Sequence, residues 1–294
     1  MKIYDTHSDV FSNLYERHQK GEKNIFERYH LSNMTKGEVK GGIWVVYSEY
    51  DFDLLNAYKI ALKEFEPYKD KFDVVLGLEG LRNVPDLDYL QKFYDLGVRH
   101  CMLTWNEENK WATGVAGPKD RGLTEDGKKC IKFMEDHNMI VDVSHLNVKS
   151  FFDVMDTVTK PVIASHSDAY TLRDHRRNLN DEQLAALKKN GGYVGVNTAR
   201  NFVSLNKEEQ NCKGLADHID YLVKKLDIDH IMFGFDMMDF LDDYGENANL
   251  DDLANHGDSQ NIVHELLRRG YTLEDVEKIC YKNFLRMRKE LIGY

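Results

Sequence analysis

Eight short runs rich in β-branched, aromatic and aliphatic residues recur along this 294-residue chain, with helical periodicity between them. The runs are KIYDTHSD, GGIWVVYSEY, FDVVLGLEG, VRHCMLTW, MIVDVSH, KPVIASHS, GGYVGVNT and HIMFGFD. Between them, Asp51 to Tyr68, Asp86 to Leu96, Thr124 to Asn138, Val148 to Thr157, Asp181 to Lys189 and Leu215 to Leu226 read as helices, and Ser259 to Arg269 and Leu273 to Leu291 follow the last run. Thr124, Asn147 and Asn180 stand where N-caps belong, and Gly97 and Gly270 where helices should stop. Regular alternation over this length predicts an α/β chain folded as a single (β/α)8 TIM barrel over residues 1–294, rather than an open doubly wound sheet. Asn13 to Lys40 is polar and is expected to hold a short helix plus a loop. Asn106 to Gly122 is long for a βα connection, and long loops at the carboxyl ends of barrel strands cover or build sites.

Composition narrows the function. With 39 Lys and Arg against 50 Asp and Glu, the formal charge is -11, so no field draws the chain to DNA, RNA or anionic lipid. The four cysteines, Cys101, Cys130, Cys212 and Cys280, lie far apart without a C-x-x-C pair and read as reduced thiols. The amino terminus MKIYDTHSD lacks the apolar stretch of a signal peptide, and no membrane span is expected, which points to a soluble cytoplasmic protein.

The predicted strands end alike. Strand one closes on His7 and Asp9, strand three on Glu79, strand five on His145, strand six on His166 and strand eight on Asp236. In a barrel all six project at one rim, the face where barrel enzymes place their sites. Any one of them has a plain alternative as a capped or turn residue; their coincidence at separate strand ends favours a metal site. His7, Asp9, Glu79, His145 and His166 offer three imidazoles and two carboxylates, a mixture suited to zinc or a similar divalent ion. That is too many ligands for one catalytic zinc and about right for two ions sharing a carboxylate. Two such ions about 3.5 to 4 Å apart can hold a hydroxide and polarise a carbonyl, which is hydrolytic equipment.

The stretches DTHSD (Asp5 to Asp9), GLEG (Gly77 to Gly80), VDVSH (Val141 to His145), PVIASHSDAY (Pro161 to Tyr170), RRN (Arg176 to Asn178) and NFLR (Asn283 to Arg286) resemble the membrane (renal) dipeptidases, metallopeptidases among the metal-dependent amidohydrolases. The resemblance implies a binuclear zinc site in a (β/α)8 barrel, with His7 and Asp9 on one ion, His145 and His166 on the other, and Glu79 bridging. It implies that Arg177, with Arg176 as its competitor, binds the free carboxylate of a dipeptide. It also implies that Asp236 handles protons during attack and amine departure. A guanidinium can grip a carboxylate through two parallel hydrogen bonds, which favours dipeptides over longer chains. The alternative for Arg177 is a surface ion pair with Asp174 or Asp181.

Strand four departs from the family, whose better-known members carry a His after a T-L-T run where this chain reads Met102-Leu103-Thr104-Trp105-Asn106. Trp105 can only donate through its indole N–H, and Asn106 is the candidate substitute polar group toward the substrate. Asp5 is expected to support a ligand through a hydrogen bond. His18, His30, His100, His137, His218, His230, His256 and His264 read as surface or packing residues, with His175 singled out beside Arg177. The acidic stretch Asp236 to Asp252 reads, Asp236 apart, as a solvated loop.

The expectation is a zinc-dependent dipeptidase acting through a metal-bridging hydroxide on unhindered dipeptides, with a D-residue at the carboxyl end as the resemblance suggests. Its rivals are a binuclear hydrolase of a cyclic amide, lactone or β-lactam, and a non-catalytic binding barrel. Cobalt, manganese or iron are alternative metals. The resemblance leaves the oligomeric state open, a homodimer being one state such barrels adopt.

Overall fold

The computed structural model describes residues 1–241 and 248–294. Strands β1 (Ile3–Ser8), β2 (Val39–Tyr47), β3 (Asp73–Glu79), β4 (Val98–Met102), β5 (Ile140–Asp142), β6 (Ile163–Ala164), β7 (Tyr193–Val196) and β8 (Ile231–Phe233) pair in chain order and close on themselves. Every pairing is parallel, which makes the fold the expected (β/α)8 barrel.

The period of two in β2 shows why. Ile43 and Val45 point into the barrel and pack with Tyr4, Val75, Ile140, Ile163 and Met232. Trp44 and Val46, one residue out of phase, point to the helical layer, where the Trp44 ring meets Phe26 and Phe65. A fully buried side chain of this size contributes roughly 1.5–3 kcal/mol or more. The helix Asn283–Ile292 closes the amino-terminal mouth with Phe284, Met287 and Leu291, its Phe284 ring stacked on Tyr4 at 4.9 Å. The floor is thus apolar, and the polar side chains collect at the opposite rim.

The barrel wall is also tight where glycines face inward. A Cβ on Gly234 would sit 1.7 Å from the Ser165 carbonyl oxygen, and one on Gly195 2.0 Å from the same atom. Beside them the Thr6 hydroxyl lies 2.7 Å from that oxygen and 2.8 Å from the Phe233 carbonyl oxygen. No side chain larger than hydrogen fits at either glycine.

The expected caps are in place: Thr124, Asn147 and Asn180 accept from the amides of Gly127, Ser150 and Gln183. The polar link after β1 holds the expected helix, Val10–Gln19, which begins earlier than Asn13, directly after Asp9, and adds a π turn at Glu27–Leu31 and a short helix Ser32–Lys36. Val10, Phe11 and Leu14 form the buried stripe that an otherwise polar sequence hides. The helix expected over Leu273 to Leu291 is interrupted by a π turn at Lys278–Lys282. The long segment after β4 is pinned by its own side chains: Trp111 Nε1 donates to the carbonyls of Leu81 and Val84, and the Val115 amide donates to the His145 carbonyl. All four cysteines are buried and free. Among the described residues no helix is long and apolar enough to cross a membrane. Of the acidic stretch, Asp242, Asp243 and Glu246 lie outside the described residues.

Candidate metal centre

The strand ends bring all six expected residues to one rim. His7 lies in β1 and Asp9 heads the following helix; Glu79 ends β3. His145, His166 and Asp236 lie two or three residues beyond the short strands β5, β6 and β8. His145 and Asp236 adopt φ of 67° and 55°, left-handed values that non-glycine residues hold only where the surroundings impose them, as functional sites often do.

Glu79 sits at the middle. Its Oε1 is 2.8 Å from His145 Nε2 and 3.8 Å from His166 Nε2, while its Oε2 is 3.3 Å from His7 Nε2. His7 Nε2 is also 3.8 Å from Asp9 Oδ2 and 3.7 Å from Asp236 Oδ1. Two sets of side chains could each hold an ion, His7 with Glu79 and His166, and His7 with Asp9 and Asp236. This grouping places His7 in both sets and brings Asp236 among the oxygen donors. His145 joins through Nε2, 2.9 Å from His166 Nε2.

The residues fit a cation. His7 is fully buried, and neither of its ring nitrogens has a hydrogen-bond partner among the described residues. Three carboxylates crowd its Nε2 within 4 Å, an arrangement that positive charge must offset. Burial works to discharge His7, but Glu79, aided by Asp9 and Asp236, holds it well above its ordinary value. Burial raises Glu79 to about 8, an effect that Asp9 adds to and His7 opposes. Burial also raises Asp236, again opposed by His7 and reinforced by Asp9. His145 and His166 are pushed well below the usual range by burial, with Arg177 and His7 adding to it, so both stand as neutral imidazoles able to donate a lone pair.

Above this cluster opens a cavity of about 450 Å³ that Trp105, Asn106, His175, Arg176 and Arg177 help to line. Arg177 is buried and takes part in no ion pair among the described residues: Asp174 pairs with Arg173 and Asp181 with Lys225, which removes the surface-pair alternative. Its Nη2 donates to the His166 carbonyl at 3.4 Å, and its guanidinium lies 5.8 Å from the Phe202 ring centroid. His175 stacks on the same Phe202 ring. Asn106 Oδ1 lies 3.0 Å from His145 Nδ1, so in this structure its oxygen is committed to a candidate ligand. Accepting the Nδ1 proton leaves His145 Nε2 with its lone pair toward Glu79 and His166. The Trp105 ring stacks on His145 with ring centroids 5.9 Å apart.

Sequence reasoning missed several supporting groups. Asn197, just past β7, donates through Nδ2 to Asp236 Oδ2 at 2.9 Å. Its amide is oriented by the Ala199 N–H, which donates to Asn197 Oδ1, and its own amide donates to Asp168 Oδ1. The signal was present, because Asn197 occupies the same strand-end position as the acids and imidazoles; it was passed over because it neither titrates nor favours metals. Asp5 does support the site, though through backbone amides rather than a ligand ring. His100 and His256, expected as surface or packing residues, are buried and, beyond packing, paired with Asp142 and Asp5.

Comparison with known proteins identifies a family and a shared fold. The sequence model of the membrane dipeptidase family, peptidase family M19, matches residues 64–292. An uncharacterized dipeptidase of Schizosaccharomyces pombe is 36% identical over 227 residues, 75% of this chain and 53% of the relative, so the chain spans about half that protein's length. A dipeptidase of Claviceps purpurea is 28% identical over 289 residues, 96% of this chain and 66% of its own. A metallo peptidase from Rhodobacter sphaeroides, solved with a phosphinate mimic of the dipeptide L-Ala-D-Ala, shares the fold with a TM-score of 0.85 at 21% identity, covering 99% of each chain. Both the extent of the family match and the identity to the yeast relative lead to one assignment: the chain belongs to the membrane dipeptidase family of peptidases.

Proposed function

We propose that this chain, acting as one barrel domain over residues 1–294, is a metal-dependent dipeptidase. It hydrolyses the peptide bond of unhindered dipeptides and accepts a D-residue at the carboxyl-terminal position. The carrying observation is the pairing of Arg177, buried and without an ion pair among the described residues, with a converging cluster of acids and imidazoles around one cavity. The D-residue draws support from the L-Ala-D-Ala mimic held by the Rhodobacter sphaeroides peptidase. The buried free thiols suit a reducing compartment, and we place the protein in the cytoplasm.

His7, Asp9, Glu79, His145 and His166 would hold two divalent ions, zinc foremost, with Glu79 offering one oxygen to each side. When bound, such ions supply Lewis acidity and a water acidic enough to attack at neutral pH. The rest falls to the side chains. Arg177 receives the free carboxylate of the substrate in its guanidinium fork, which fixes the distance to the scissile bond. Asp236, its Oδ2 steadied by Asn197, takes the proton from the attacking water and returns it to the departing amine. Trp105 forms part of the cavity wall and Asn106 fixes His145.

The test is amine release from dipeptides of mixed chirality, using metal-stripped protein with and without zinc. Zinc-restored cleavage that is abolished by both Glu79→Ala and Asp236→Asn, with the fold kept, is expected. A protein that binds zinc yet cleaves no member of the panel, or near-normal turnover by either variant, would sink the proposal.

A further inference from the structure

Beneath the metal centre two buried carboxylates repeat one arrangement on two seams of the barrel. β1 and β8 share a single ladder pair, Asp5 with Phe233, and β5 and β6 share a single pair, Asp142 with Ile163, whereas β2 and β3 share seven. Strands that part so early leave amides without ladder partners just where the site residues follow. At the first seam Asp5 Oδ1 accepts from the amides of His7 and Phe235, at 3.2 and 2.8 Å. At the second seam Asp142 Oδ1 accepts from the amides of Ser144 and Ser165, at 2.8 and 3.2 Å. Each carboxylate therefore splices its own strand to the neighbour two residues beyond the last ladder pair. The spliced ends carry His7, Asp9 and Asp236 on one seam, and His145 and His166 on the other.

The remaining oxygen of each carboxylate meets a buried imidazole. His256 Nε2 lies 2.8 Å from Asp5 Oδ2, and His100 Nε2 lies 2.8 Å from Asp142 Oδ2. The two histidines arrive from unrelated places, His100 from β4 and His256 from the short turn His256–Asp258 after β8. Both are held by close packing: a Cβ on Gly77 would sit 2.6 Å from His100 Nδ1, and one on Gly37 1.8 Å from the His256 carbonyl oxygen. A carboxylate that bridged two amides with its other oxygen unpaired would be free to rotate, and burial would penalise it. A single N–H donor on that oxygen removes both problems.

We propose that His256 and His100 are positioning residues, each fixing through its aspartate one half of the metal centre. His256 sets the half that carries His7, Asp9 and Asp236, and His100 sets the half that carries His145 and His166. The assignment of halves rests on the proposed two-ion site; the splicing of the seams does not.

The experiment uses the full chain and compares His256→Ala, His256→Gln, His100→Ala and His100→Gln, the glutamines keeping an N–H within reach of the carboxylate. Hydrogen exchange on metal-free protein follows peptides from β1 and β8 against peptides from β5 and β6. His256→Ala is expected to speed exchange at the first seam about tenfold or more, the factor carried by one hydrogen bond to a charged group, and to leave the second seam near its parent rate. His100→Ala should do the reverse, and each glutamine variant should return its seam to near the parent rate. Zinc competition with a chelator on the same proteins should show affinity weakened by about 10–100-fold in each alanine variant and returned to near the parent value in each glutamine variant. Equal loosening of both seams by either alanine variant, no loosening by either, or glutamine variants as loose as the alanines would overturn the proposal. An inactive parent protein would count against the dipeptidase reading and leave the exchange comparison intact, so the two failures are distinguishable.

Discussion

Replacing Arg177 by methionine should cost activity and raise stability. A guanidinium carries five N–H donors, yet among the described residues Arg177, 5% exposed, donates only to the His166 carbonyl at 3.4 Å. Burial brings the group from its ordinary 12.5 to about 10, against the pull of Asp236 and Glu79. At 1.36 kcal/mol per pH unit, keeping it charged in the folded protein costs about 3 kcal/mol. Methionine has similar reach, no charge and no unmet donors, and imperfect packing should take back about 1.5 kcal/mol. The metal-free variant should therefore melt roughly 2–4 °C higher, given about 2 °C per kcal/mol for a chain of this size. Against that gain, a buried contact between guanidinium and carboxylate is worth roughly 2–5 kcal/mol in binding, which is about 30- to 3,000-fold in kcat/KM for a free dipeptide. The assay pairs thermal unfolding with amine release from a free dipeptide and from its carboxyl-terminal amide. The amide has no carboxylate to grip, so its rate should change far less. A variant that melts several degrees lower, or that loses the amide and the free dipeptide in equal proportion, would refute the reasoning, because Arg177 would then be holding the fold rather than the substrate.

Further outcomes follow from the same geometry. Asn106→Leu removes the acceptor at His145 Nδ1, and a metal titration should show affinity down about 10–100-fold with little change in melting temperature; unchanged affinity would return Asn106 to a substrate role alone. In the metal-free protein His7 is held well above its ordinary value and so carries a proton at pH 7 that an incoming ion must expel. Glu79, raised to about 8, holds a second proton at that pH, so zinc affinity should rise with pH through neutrality by about tenfold per unit or more, and calorimetry in two buffers should find about one to two protons released; affinity independent of pH would contradict the site. Gly234→Ala places a Cβ 1.7 Å from the Ser165 carbonyl oxygen and should destabilise by about 3 kcal/mol or more in urea unfolding. A midpoint within error of the parent would mean that the barrel wall is looser than described.

Much of this protein is legible without coordinates. Alternating apolar runs and helical stretches specify the barrel because each pattern can bury its apolar face in only one kind of layer. His7, Asp9, Glu79, His145, His166 and Asp236 are recognisable because each interrupts or ends an apolar run, and the barrel's symmetry sends all such ends to one rim. The start of the helix Val10–Gln19 was obscured because its buried stripe is short, and the π turn at Lys278–Lys282 has no local signature. Asn197 stood in view at a strand end and lacked only the titratable chemistry that draws notice.

Other features were set only when the chain closed on itself. No spacing relates Asp5 to His256, 251 residues later, or His100 to Asp142, 42 residues later; the first pair exists because closure brings β1 beside β8, the second because β4 and β5 pair as neighbouring strands. Likewise the family resemblance points to Arg177 but leaves a surface ion pair open, and its burial beside His166 is what separates it from Arg173, which pairs with Asp174. The sequence determined which chemistries reach the rim, since periodicity is a local property of the chain. The tertiary structure decided which groups face one another and how far each is removed from water, because distance and dielectric environment depend on every strand at once.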